Sequence, residues 1–121
     1  MAAGGGYGGG YRVMLRMQIK PGREREFEEA WARVGTAVTG HRANLGQWLA
    51  RSDEENGVYY IASDWVDEAQ FREFEHSEAH LRHRALLQPM RDSGSMVTAH
   101  IVCYMPGRGD PQGDTPDRPE G

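Results

Sequence analysis

The segment VMLRMQIKPGREREF (13–27) constrains the fold most, because its hydrophobic period changes partway along. Val13, Leu15, Met17 and Ile19 alternate with Met14, Arg16 and Gln18, the two-residue period of a strand with one face on a core. Pro21 and Gly22 break that strand. From Arg23 the apolar positions become Phe27, Ala30, Trp31, Val34 and Val38, the spacing of an amphipathic helix under a charged outer face. Gly40 and His41 close it.

The same periods then recur. NLGQWLARS (44–52) and VYYIASDWV (58–66) flank the turn residues EENG and read as a hairpin. Asp67 followed by Gln70 marks a helix start with a reciprocal cap. Phe71, Phe74, Leu81, Leu86 and Leu87 carry a helical region to Pro89, which breaks near Ser77, itself a good N-cap. SMVTAHIVCYM (95–105) reads as the last strand. The order strand, helix, strand, strand, helix, strand predicts an α+β, ferredoxin-like split βαβ (βαββαβ) fold: an antiparallel sheet with its helices on one face. The other face carries either Arg16 and Gln18 or the parity of Trp48. It needs cover, and sheet-to-sheet pairing predicts a homodimer.

A chain of 121 residues is one domain. Its apolar fraction of 38% is modest, but the shortfall is local, since ten of the 16 glycines lie in the two ends. These ends predict a flexible Gly-rich lead over 1–11, a folded domain over 12–105 and a disordered tail over 106–121. The net charge of −4, with signs mixed throughout, leaves no basic footprint for nucleic acid. One cysteine, Cys103, rules out an intrachain disulfide and fits a cytoplasmic setting. It reads as a small apolar group on the last strand. Neither a leader nor a run of about 18 apolar residues is present, so no membrane role is expected. GGGYGGGY precedes a strand instead of following one and lacks the context of a phosphate loop.

HSEAHLRHR (76–84) concentrates three of the five histidines. His76 and His80 are spaced i, i+4, as in helical zinc motifs. His83, seven residues from His76, stands about 10 Å further along the axis, whereas Zn–N bonds are only about 2 Å long. A third ligand would have to come from His41, His100 or a distant carboxylate, and nothing marks one, so no metal is expected. His76 reads as a solvated residue. His80 and Arg84 share a stripe near Leu81 and Leu87, where a helix borders its sheet. There His80 suits a general base, and Arg84 suits an enolate or carboxylate clamp.

The run YYIASDWVDEAQFREFEHSEAHLRHR joins a Trp-ended strand, an acidic cap, an F-x-x-F pair and a His/Ser-rich second helical piece. In this it resembles the antibiotic biosynthesis monooxygenase family over roughly residues 12–105, most closely its actinomycete members of aromatic polyketide and spore-pigment pathways. The resemblance implies small ferredoxin-like dimers of the α/β-barrel type. It also implies oxidation of an anthrone- or naphthol-like polyketide to a quinone by O₂, with no metal, flavin or haem. The implied partners are the polyketide, O₂, a second copy and polyketide tailoring enzymes. Trp65 matches the family's cleft tryptophan, giving Trp65, His80 and Arg84 as expected catalytic residues. The quinone-forming members place an Asn four residues before that Trp and a Tyr six after it, where this chain has Ile61 and Phe71. Ser63 and Tyr59 share the parity of Trp65 and are the nearest strand substitutes. With Phe71 and His83 they form the expected substrate-binding set. In the haem-degrading branch the axial His would fall at Arg84 and the distal Asn near Leu15 or Arg16, and neither matches. Two other functions fit the same residues: a polyketide cyclase or aldol-condensation aid, favoured by Ile61 and Phe71, and a non-catalytic dimeric intermediate-binding protein.

Overall fold

A computed structural model describes residues 9–109. In it the alternating segment is a strand, β1 (Tyr11–Ile19), and the helical period follows as α1 (Glu24–Thr39). A hairpin, β2 (Asn44–Arg51) and β3 (Val58–Trp65), leads to α2 (Glu68–Glu75) and α3 (Glu78–Leu87). A short 3₁₀ turn at Gln88–Met90 then feeds β4 (Arg91–His100). The four strands form one antiparallel sheet in the order β2-β3-β1-β4. This is the ferredoxin-like arrangement, with the second helix divided in two.

The division has a local cause. The Asp67 carboxylate accepts from the Gln70 backbone N–H at 2.8 Å and opens α2. The Ser77 hydroxyl accepts from the His80 N–H at 3.2 Å and opens α3. Each cap satisfies donors that a helix start leaves unpaired. The Gln70 side chain donates to the Asp67 carboxylate at 3.3 Å and does not reach back to the cap's own N–H, so the reciprocal cap takes a side-chain form.

Pairing geometry corrects two boundaries. The last strand begins at Arg91 and ends at His100, earlier at both ends than the 95–105 expected, because its ladder follows β1 from Ile19 back to Tyr11. Beyond it, Ile101 still exchanges backbone hydrogen bonds with Gly9 and Gly10. Cys103 therefore lies outside the strand and is exposed. Tyr11, placed in the flexible lead by composition, is instead a strand residue buried against Phe71. The rest of the expected lead and tail, residues 1–8 and 110–121, lies outside the described residues.

The helices cover the sheet face bearing Tyr11, Val13 and Ile19 from β1 and Tyr59, Ile61, Ser63 and Trp65 from β3. The opposite face carries Arg16 and Trp48 together. Trp48, Ala62, Met14 and Val97 form one cross-strand row, in which Trp48 and Val97 are about 60% exposed.

The core is in two parts. Tyr11, Val13, Ala43, Trp65, Phe71 and Phe74 form one cluster. Ile19, Phe27, Ala30, Tyr59 and Met90 form the other. Both border the space between helices and sheet that holds the site.

Candidate active site

A cavity of about 370 Å³ lies between the two core clusters. Its floor is the centre of the sheet, with Val13, Leu15 and Met17 from β1 and Ile61, Ser63 and Trp65 from β3. α1 contributes Trp31, Val34, Gly35 and Val38, and small residues there leave the space unfilled. Phe71 and Phe74 from α2 close one end, and Arg91, Gly94 and Met96 from β4 border the other side.

The remaining wall comes from α3 and the turn that follows it. His80, His83, Arg84, Leu87 and Gln88 line the cavity, the i, i+3, i+4, i+7, i+8 stripe of one helix face. Leu81 and Leu86 are about half exposed, and none of the ten helix residues is buried. Leu87 shares the cavity-facing stripe with His80, His83 and Arg84, and Leu81 stands outside the cavity instead of packing beside His80.

The expected catalytic residues Trp65, His80 and Arg84 all border this one space. Phe74 joins the first two, its ring centroid lying 4.8 Å from that of Trp65 and 4.7 Å from that of His80. Among the described residues, Trp65 Nε1 and Nδ1 of His80 and of His83 are buried atoms with no hydrogen-bond partner, an uncommon state for buried polar atoms. Burial, chiefly, and then the Arg84 charge hold the His80 pKa below its ordinary 6.5, with His83 adding to the shift and Glu75 opposing it. The imidazole is thus a neutral base at neutral pH. Arg84 and Arg91 make no ion pair among the described residues. Glu75, the cavity's one carboxylate, is held by Arg72 at 3.1 Å.

Among the expected substrate-binding residues, Ser63, Phe71 and His83 line the cavity and Tyr59 does not. Tyr59 shares their sheet face but sits in the second core cluster against Phe27, and its hydroxyl donates to Glu28. Burial, then that bond, pushes its pKa up to about 12. His76 is exposed at the end of α2, where Nδ1 meets the Arg72 carbonyl at 2.8 Å. Among the described residues no group of three or more His, Cys, Asp or Glu is placed to share a metal ion, and no helix is long and apolar enough to cross a membrane.

Sequence reasoning missed Gln47, which lines the cavity from β2. Alternation from Trp48, which faces the open side, puts Gln47 toward the helices, opposite its partner Ser63. A register shift between Asn44 and Gly46, where Gly46 takes a φ of +146°, brings Asn44 to that same face. The signal for Gln47 was its parity against Trp48.

The sequence model for the family described as antibiotic biosynthesis monooxygenase matches residues 10–86. Among solved structures, SnoaB, a cofactor-independent oxygenase from Streptomyces nogalater, is 18% identical. It aligns over 81% of this chain and 98% of its own with a TM-score of 0.72. A candidate antibiotic biosynthesis monooxygenase from Bordetella bronchiseptica is 23% identical over 78% of this chain and 98% of its own, with a TM-score of 0.70. A conserved protein from Methanosarcina mazei Go1 is 16% identical over 74% and 90%, with a TM-score of 0.69. At these identities the structural likeness establishes the fold. No curated protein sequence matches the chain.

Proposed function

The chain belongs to the antibiotic biosynthesis monooxygenase family, and from that premise we propose that it is a cofactor-independent oxygenase converting an anthrone- or naphthol-like polyketide to a quinone. The observation that carries this reading is the cavity-facing stripe of α3. It brings a neutral imidazole, His80, and a guanidinium without an ion-pair partner among the described residues, Arg84, to a cavity that Trp65 also lines. The flat aromatic surfaces of Trp65, Phe71 and Phe74 suit a fused-ring ligand.

His80 takes the phenolic proton, and Arg84 holds the resulting anion. The phenolate passes one electron to O₂, and the organic radical and superoxide recombine through a new C–O bond. The imidazolium returns its proton to the peroxide, toward which Trp65 Nε1 donates. Loss of water leaves the carbonyl. One oxygen atom ends in the quinone, and the other leaves as water with the two hydrogens of the ring methylene.

A homodimer paired through the sheet face bearing Trp48 and Met14 would remove its apolar row from water. This reading places the protein in the cytoplasm beside other polyketide tailoring enzymes. Product formed from a synthetic anthrone under ¹⁸O₂, without added metal or flavin, should carry one labelled oxygen. Equally fast formation of unlabelled product under argon would replace this reading with the second, a polyketide cyclase using the same base. The apolar wall at Ile61 and Phe71 favours that alternative.

A further inference from the structure

The polar side chains absent at positions 61 and 71 leave a floor that is apolar except at Ser63, Gln47 and the Trp65 indole N–H. Ser63 and Gln47 are direct cross-strand partners on the helix-facing side of β3 and β2, which brings their Cβ atoms to within about 5.5 Å of each other. The remaining valences of the two side chains are complementary. Gln47 Nε2 donates to the Gly35 carbonyl at 3.2 Å, and no described group donates to its Oε1. Ser63 Oγ accepts from Asn44 Nδ2 at 3.4 Å, and its hydroxyl hydrogen has no described acceptor. A fixed acceptor thus stands next to a free donor, both on the cavity wall.

Gly35 lets this happen. It is buried in α1, where glycine is a poorer helix former than alanine. A Cβ there would lie 3.1 Å from Gln47 Nε2. The helix therefore comes close enough for its carbonyl to anchor the amide, and the anchored amide keeps Oε1 as its free end.

We propose that Gln47 and Ser63 together form a hydroxyl-recognition subsite and determine substrate specificity. A group that donates to Gln47 Oε1 and accepts from Ser63 Oγ–H at the same time needs a hydrogen and a lone pair on one atom, which an aromatic hydroxyl has. An ether lacks the proton, and a carbonyl lacks the donor. The subsite takes over on β2 and β3 the recognition that Ile61 and Phe71 cannot provide. This inference rests on the cavity being the aromatic-ligand site proposed above.

The test is binding of 2-naphthol and of its methyl ether, 2-methoxynaphthalene, followed by quenching of tryptophan fluorescence at pH 7. The wild-type protein should prefer the naphthol by about tenfold, the range of one well-made hydrogen bond plus the cost of an unpaired one. Gln47→Met, of similar length, and Ser63→Ala should each reduce that preference to about twofold or less while leaving methyl-ether affinity within about twofold. Far-UV circular dichroism confirms that each variant is folded, and either folded variant alone decides the question. A preference that survives in the folded variants overturns the subsite and leaves the aromatic cavity standing. Failure of the wild-type protein to bind either probe overturns both.

Discussion

His80 and Trp65 are coupled through a single ring: Phe74 packs 4.7 Å from the imidazole centroid and 4.8 Å from the indole centroid. The imidazole of α3 and the indole of β3 thus hold their relative position through one buried side chain of α2, which is 6% exposed. Phe74→Ala should cost about 3–5 kcal/mol in urea unfolding, as large-to-small changes at buried phenylalanines do. Phe74→Leu should cost less, yet lower turnover on an anthrone at unchanged folded fraction, because the imidazole loses its flat support. Turnover equal to wild type in Phe74→Leu would disconnect this ring from the chemistry.

The pH dependence follows from the direction of the His80 shift. Its folded pKa lies below 6.5, so the free base is already present at neutral pH. Turnover should be flat from pH 8 to near 6.5 and should fall only at lower pH, as the imidazole takes a proton. Stability moves the same way. As pH drops through 6.5 the unfolded chain binds a proton that the folded chain still refuses, so this contribution is complete above that value and is lost below it. His80→Gln should remove the acid limb of the rate profile and flatten the urea midpoint between pH 5 and 7. An unchanged acid limb in the variant would assign the base elsewhere.

Tyr59 separates stability from chemistry. Its hydroxyl is paired with Glu28, away from the cavity. Tyr59→Phe should lower stability by about 1.5–3 kcal/mol, the worth of a hydrogen bond to a charged group, and leave kcat and KM within twofold. A kcat loss of tenfold or more at full folding would return Tyr59 to the site.

Trp48 tests the open face of the sheet. Trp48→Glu puts a charge at the β2 end of the row Trp48, Ala62, Met14 and Val97. Sedimentation should shift from dimer to monomer at micromolar protein, since burying an unpaired carboxylate is costly. A variant as dimeric as wild type would place the interface elsewhere.

Much of this molecule is legible in its sequence because local rules act over a few residues. The alternation from Val13 to Ile19, the switch to a helical period at Phe27, and the caps at Asp67 and Ser77 each depend on near neighbours, and each stands in the fold. Strand ends depend on a partner, and so the last strand shifted to the register that β1 imposes.

The site divides in the same way. That His80 and Arg84 share a helix stripe follows from spacing alone. Which way the stripe faces does not, because α3 carries leucines on both sides, Leu87 on the stripe and Leu81 and Leu86 off it. Here α3 spans a gap between two separate core clusters, and His80, His83, Arg84 and Leu87 face that gap while Leu81 and Leu86 meet solvent. The sequence by itself determined the elements, their order and the residue types available for chemistry. Packing between distant elements decided that Trp65, His80, Arg84 and Gln47 border one cavity and that Tyr59 does not. The physical reason is that elements follow from contacts within a few residues of chain, whereas a cavity exists only where elements far apart in sequence fail to fill the space between them.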